Sequence, residues 1–255
     1  MEDEGANAAA ARHTGSPPDA GSRSRDSGSL RLSAVLLLAG VLVSLLAGLF
    51  HPGSANANDH EAAFSEYANS GIWTGVHLGQ FVGMATLIAG LLVLFVALDL
   101  RRGGPIWVAR FAAVAAGAAL PLYAVLQAVD GVALKHAVDA WAAAPEAEKA
   151  ARFDAAEGIR WLEWGVRSYQ SLVLGLSLVL FAIVIVWTGR VSRAVGYLLG
   201  VSGLAYLVQG WVIGAEGFSP NNTAPTLIGI AASVIWSIWF LISTWRSKPA
   251  ARVAV

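Results

Sequence analysis

The sequence predicts an all-α polytopic membrane protein: a six-transmembrane-helix bundle with a helical cap on its outer face. Three observations predict it. First, six apolar runs, at 32–50, 75–98, 106–129, 166–187, 194–213 and 226–245, are each close to the roughly 20 residues a helix needs to cross a hydrocarbon core. Second, 56% of the residues are hydrophobic and only 13% charged, which leaves too little polar surface for a water-soluble domain of 255 residues. Third, arginine collects on one side of these runs, and acids and most of the histidines on the other.

The first run follows a leader rich in Gly, Ala, Ser and Pro. Residues 1–30 have no apolar period and read as a disordered cytoplasmic tail, with a second tail at 247–255 and the transmembrane domain at 31–246. Arg23, Arg25 and Arg31 precede the first run, and Ala55-Asn56-Ala57 follows it in a small-x-small pattern. The 19-residue length exceeds a signal-peptide core, so the run is expected to stay as a span; cleavage would leave five. Between the first and second runs, Asn58-Asp59-His60-Glu61 reads as a capped helix start, with Phe64 and Tyr67 on one face of a short interfacial helix. The long connection at about 131–165 is Ala-rich and interrupted at Pro145, and is expected to form a helical hairpin over the outer face. Trp73, Trp141, Trp161, Trp164, Tyr169 and Trp211 lie near that boundary as an aromatic belt would.

Charge sets the orientation. With the N-terminus inside, twelve of the 17 Lys and Arg face the cytoplasm, from Arg12 to Arg252, and five face outward: Lys135, Lys149, Arg152, Arg160 and Arg167. Cytoplasmic retention of cations then places both termini inside, in a cytoplasmic (plasma) membrane. The formal net charge of zero conceals this asymmetry. A basic inner rim suits anionic lipids, so the lipid bilayer is the expected partner; no basic stripe suggests nucleic acid, and nothing fixes an oligomeric state. With no cysteine there is no disulfide, thiolate ligand or thiol nucleophile.

Polar residues recur at helical spacing at the outer ends of four runs. Trp73, His77, Gln80 and Met84 form one stripe; Tyr123, Gln127 and Asp130 a second; Glu163, Arg167 and Gln170 a third; Tyr206, Gln209 and Glu216 a fourth. Polar groups facing acyl chains are costly, so these stripes should face one another or a wet cavity. Two readings stay open: a hydrogen-bonded plug, or a pocket for a small polar ligand, lipid headgroup or ion built from His77, Gln80, Tyr123, Gln127, Asp130, Arg167, Gln170, Gln209 and Glu216. In the pocket reading Arg167 meets an anionic group. The run centres carry no ionisable residue, which argues against a proton- or ion-coupled carrier. Pro121 is expected to kink the third run just below Tyr123.

No cofactor is predicted outright. A metal site could draw on His51, His77, His136 and Asp139, although no pair of histidines has HxxxH or HExxH spacing. Haem b would need His51 and His77 as axial ligands, which makes a metal- or haem-dependent membrane enzyme or electron carrier the alternative function. A hydrolase could instead use Asp130, Glu157 or Glu216 as base beside His77, and a purely structural subunit of a membrane complex is a third class. Gly200-Val201-Ser202-Gly203 resembles the nucleophile motif of rhomboid-type intramembrane proteases, but the last run lacks the histidine that family requires, so Ser202 reads as a packing residue.

Phe50-His51-Pro52, Phe64-Ser65-Glu66-Tyr67-Ala68, the stretch from Leu126 through Asp130 to Lys135 with Val138-Asp139-Ala140-Trp141, and Gly214-Ala215-Glu216-Gly217-Phe218-Ser219 resemble uncharacterised six-span integral membrane proteins of high-GC bacteria. The resemblance covers about residues 32–245 and implies a fold without implying an activity.

Overall fold

The computed structural model describes residues 20–246, with side chains from residue 28 onward, so the expected tails at 1–19 and 247–255 lie outside the described residues. The described chain is all-α. Helix α1 (Ala20–Leu49) begins ahead of the expected tail boundary and ends as Pro52 removes the next amide donor. A short α2 (His60–Ala68) follows, capped by Asp59, whose carboxylate accepts from the Ala62 amide. Then come α3 (Trp73–Ala97) and α4 (Gly104–Ala128), which continues through Pro121.

The expected hairpin exists, but as the ends of spanning helices. Helix α4 runs through a π-helical stretch (Val129–Leu134) into α5 (Lys135–Ala142), and after a turn the chain returns in the 43-residue α6 (Glu146–Thr188). At about 1.5 Å per residue α6 is roughly 65 Å long, twice the hydrocarbon thickness, so its first part must project beyond the membrane. Helices α7 (Arg193–Glu216) and α8 (Thr223–Arg246), joined by one 3-10 turn, complete the bundle. Six helices are long and apolar enough to cross a membrane.

Two packing features make this a membrane bundle. The helices are apolar outside as well as inside: Val201, Leu204, Val208 and Trp211 of α7 are exposed while Val195, Leu199 and Ile213 are buried. An exposed apolar girdle of this kind suits lipid. Helices also meet through glycine: a Cβ added at Gly83 would lie 2.3 Å from Ser44 Oγ, and one at Gly203 would lie 2.8 Å from the Gly175 carbonyl, so α1 packs on α3 and α6 on α7 nearly backbone to backbone. Buried hydroxyls add cross-links, among them Ser177 to the Ala112 carbonyl at 2.9 Å. Ser202 is such a packing residue, accepting from Trp236 Nε1 at 3.1 Å.

A second, smaller core holds the cap. Phe64 and Tyr67 of α2 pack with Trp73, Leu134, Val138, Trp141 and Ala156. Trp73 and Trp141 are therefore buried under the cap and are not part of an interfacial belt, whereas Trp161, Tyr169 and Trp211 are exposed as a belt requires. The difference arises because α2 packs against the extension of α4 through the π stretch and α5, and together they enclose these rings in an apolar core.

Candidate functional site

The cap core seats three metal-ligating side chains together. His51 follows the end of α1, His77 lies in the second turn of α3, and Asp130 is in the π-helical stretch after α4; one ligand atom from each lies within 4.8 Å of the others. The π stretch matters locally. Widening the helix frees carbonyls from regular pairing, and α3 supplies donors to them: Trp73 Nε1 to the Asp130 carbonyl at 2.9 Å and Thr74 Oγ1 to that of Gly131 at 3.3 Å. Gly131 permits the approach, since a Cβ there would sit 2.6 Å from His77 Cβ.

Hydrogen bonds assign the imidazole tautomers. His77 Nδ1 is 2.8 Å from the Trp73 carbonyl and His51 Nδ1 is 2.6 Å from the Pro52 carbonyl. A carbonyl only accepts, so each Nδ1 carries a hydrogen; the neutral His51 ring is then left with Nε2 as its lone-pair nitrogen, whereas His77 Nε2 faces Asp130, to which it can donate or with which it can share a cation. His77 Nε2 is 3.1 Å from Asp130 Oδ2, yet neither it nor Asp130 Oδ1 has a hydrogen-bond partner among the described residues. Burial against Tyr67, Trp73 and His77 holds His51 below the ordinary histidine range, which favours its neutral, ligating form. Two imidazoles pinned through Nδ1 and facing a carboxylate suit a cation in the cluster.

A separate cavity of about 400 Å³ lies between the helices. Gln80 of α3, Tyr123 of α4, Arg167 and Gln170 of α6 and Tyr206 of α7 contribute polar groups; Val41, Ser44 and Leu45 of α1 and Ile230 and Ser233 of α8 complete the wall. His77 and Gln80 are one turn apart on α3, and Gln127 and Asp130 likewise on the α4 side, so the two sites are neighbours along those helices. Gln127 Nε2 reaches Gln80 Oε1 at 3.5 Å between them.

The nine residues expected to form one pocket thus divide. Gln80, Tyr123, Arg167 and Gln170 line the cavity, His77 and Asp130 belong to the cluster with His51, and Gln127 links the groups. Gln209 and Glu216 go elsewhere. Gln209 is spent between α6 and α8, accepting from Ser171 Oγ and donating to Thr226 Oγ1 at 2.8 Å. Glu216 is at the surface, where Ser219 and Asn221 donate to its carboxylate. Arg167 forms no ion pair among the described residues: Glu163, one turn away, takes Arg160 at 2.6 Å.

The expected metal set also changes. His136 is exposed and Asp139 is held by Lys135 at 2.6 Å; α5 turns both away from His51 and His77. Asp130 takes their place, because it is separated from Gln127 by less than one turn and so stays on the face that meets α3. Haem b between His51 and His77 does not fit: the rings are 5.2 Å apart with Trp73 against both, and axial ligands must approach opposite faces of a macrocycle. Of the three carboxylates considered as bases, only Asp130 reaches His77, since Glu157 pairs with His60 and Glu216 with the loop.

Compared with known protein families, curated proteins and solved structures, the chain matches none.

Proposed function

We propose that this membrane protein is a metalloprotein that holds a divalent transition ion on His51, His77 and Asp130 under the cap. The observation that carries this reading is the paired Nδ1–carbonyl tether, which turns the Nε2 of both imidazoles toward Asp130, one of whose carboxylate oxygens is unsatisfied. Backbone tethers of this sort orient ligating histidines and raise their basicity. Ligands on a tetrahedral ion with bonds of about 2.0–2.1 Å lie about 3.4 Å apart, so the widest gap in the cluster must close by at most about 1.4 Å. His51 sits in the turn after α1, where such a movement leaves the helices in place.

Two nitrogens and one oxygen suit zinc or iron(II), and three protein ligands leave a coordination position for water or a substrate oxygen. Sites of that composition act as Lewis acids. The cap is assigned to the outside and both termini to the cytoplasm of a plasma membrane, because that placement keeps twelve of the 17 cations inside.

A metal-free pair, His77 protonated on Nε2 against Asp130, is the second reading, favoured by their 3.1 Å separation. Cobalt(II) distinguishes the two. Metal-free protein titrated with cobalt should develop intense tetrahedral d–d absorption that His77→Ala and Asp130→Asn abolish; a titration that gives only the spectrum of aqueous cobalt would support the ion pair.

A further inference from the structure

We infer that the cavity between α1, α3, α6, α7 and α8 binds an oxyanion, a carboxylate or a phosphate, with Arg167 as its counter-ion. An arginine on a membrane-spanning helix is costly unless it is paired or faces water. Here Glu163, the carboxylate whose charge interacts with Arg167, forms its salt bridge with Arg160 at 2.6 Å, and no carboxylate lines the cavity. Its Nε is buried without a hydrogen-bond partner, as is the Nε2 of Gln170, a residue only 1% exposed. Two residues that line the cavity thus keep unsatisfied donors, and the one formal charge in its lining is positive. An acceptor-rich anion complements them through charge-assisted hydrogen bonds.

The walls also indicate the shape of the molecule. The polar groups sit toward the cap, at Gln80, Arg167 and Gln170, while Met84 and Leu87 of α3 lie roughly 6 and 10 Å farther from it along the helix. Val41 continues that apolar floor on α1. Gly48 and Leu49 of α1 and Ile230 of α8 are exposed at the rim, so the cavity opens sideways between α1 and α8, on the side that faces lipid. A volume of about 400 Å³ takes a headgroup and part of one chain. The inference is independent of the metal site, which none of these residues ligates.

Thermal unfolding followed by tryptophan fluorescence tests it, in dodecyl maltoside and with a chelator present to silence any metal. The titrants are dodecyl phosphate, oleate, inorganic phosphate and dodecyltrimethylammonium. Saturable stabilisation by the anionic amphiphiles, absent with the cationic one, is expected. Stabilisation by dodecyl phosphate and oleate alone identifies a lipid-like source; equal stabilisation by inorganic phosphate identifies a free anion, and either supports the site. Arg167→Gln should weaken the apparent affinity roughly 10- to 100-fold, the loss of a charged hydrogen-bonding partner. Gln170→Leu removes an orphaned donor, so it should weaken binding several-fold while leaving the unliganded protein at least as stable. That variant decides the matter if Arg167→Gln does not fold. No saturable shift, an equal shift with the cation, or undiminished affinity in Gln170→Leu together with any folded Arg167→Gln would overturn the inference.

Discussion

Adding one methyl group at Gly131 should separate His77 from its neighbours. The new Cβ would meet His77 Cβ at 2.6 Å and Cγ at 3.0 Å, where ordinary contact begins near 3.4 Å, so α3 and the π stretch must part by about 0.8 Å at that point. Overpacking of this size costs about 1–3 kcal/mol. His51 can move with its turn, but His77 and Asp130 are fixed 3.1 Å apart by the two helices being parted, so the same displacement should lower zinc affinity on the order of 10- to 100-fold. Competition between purified Gly131→Ala protein and a chromogenic chelator reads the affinity, and thermal unfolding reads the stability. Gly117→Ala is the internal control: it lies in α4 with open space around it, and should raise stability by up to about 1 kcal/mol with zinc affinity unaltered. Gly131→Ala protein with wild-type zinc affinity and wild-type stability would refute the close packing argued for this site.

The buried Arg160–Glu163 pair, 2.6 Å apart, should show strong coupling in a double-mutant cycle: Arg160→Met or Glu163→Leu alone leaves an unpaired buried charge and costs about 3–5 kcal/mol, and the double variant recovers much of that loss in thermal unfolding. Glu66 ties the loop after α1 by accepting from the Ser54 and Ala55 amides and the Ser54 hydroxyl, and these hydrogen bonds hold its carboxyl down at about 2. Because the folded-state value is depressed, the tether's contribution is full above about pH 4.5 and disappears as the pH falls through about 2. Hydrogen exchange of the Ser54 and Ala55 amides should therefore stay protected at pH 3.5, and Glu66→Ala should remove that protection at every pH. The chain contains no cysteine, so single replacements report topology cleanly. Ala143→Cys, in the turn between α5 and α6, should react with an impermeant maleimide in intact cells, and Ser192→Cys, at the start of α7, only after permeabilisation; the reverse pattern would invert the assigned orientation.

The bundle was legible because the length and apolar content of a span are local properties, as in α3 and α8, where the apolar run and the helix nearly coincide. Gln80, Tyr123, Arg167 and Gln170 line one cavity, as residues at i, i+3 and i+4 spacing on inward faces can, since that spacing survives any packing of straight helices. Gln209 and Glu216 lie outside that cavity. Gln209 is inward too, but toward Ser171 and Thr226, and helical period does not say which neighbour a face meets. Glu216 is the last residue of α7, and Gly217, at a φ of +69°, turns the chain there so that the carboxylate serves the loop. The cluster was half visible: His51 and His77 stood out as a pair at one depth, whereas Asp130 joins them through a π stretch that no local pattern signals. Its neighbour Gly131 carried the one hint, a glycine beside an acid at a helix end. The cavity's α1 and α8 walls were hidden for another reason, since Ser44 and Ser233 look like any small residue at a helix contact.

The metal centre is tested most directly by elemental analysis of the detergent-purified protein after exchange into metal-free buffer supplemented with zinc. Wild-type protein should retain about one transition ion per chain, and His77→Ala and Asp130→Asn almost none. Wild-type protein that retains no metal, or variants that retain as much as wild type, would contradict the account.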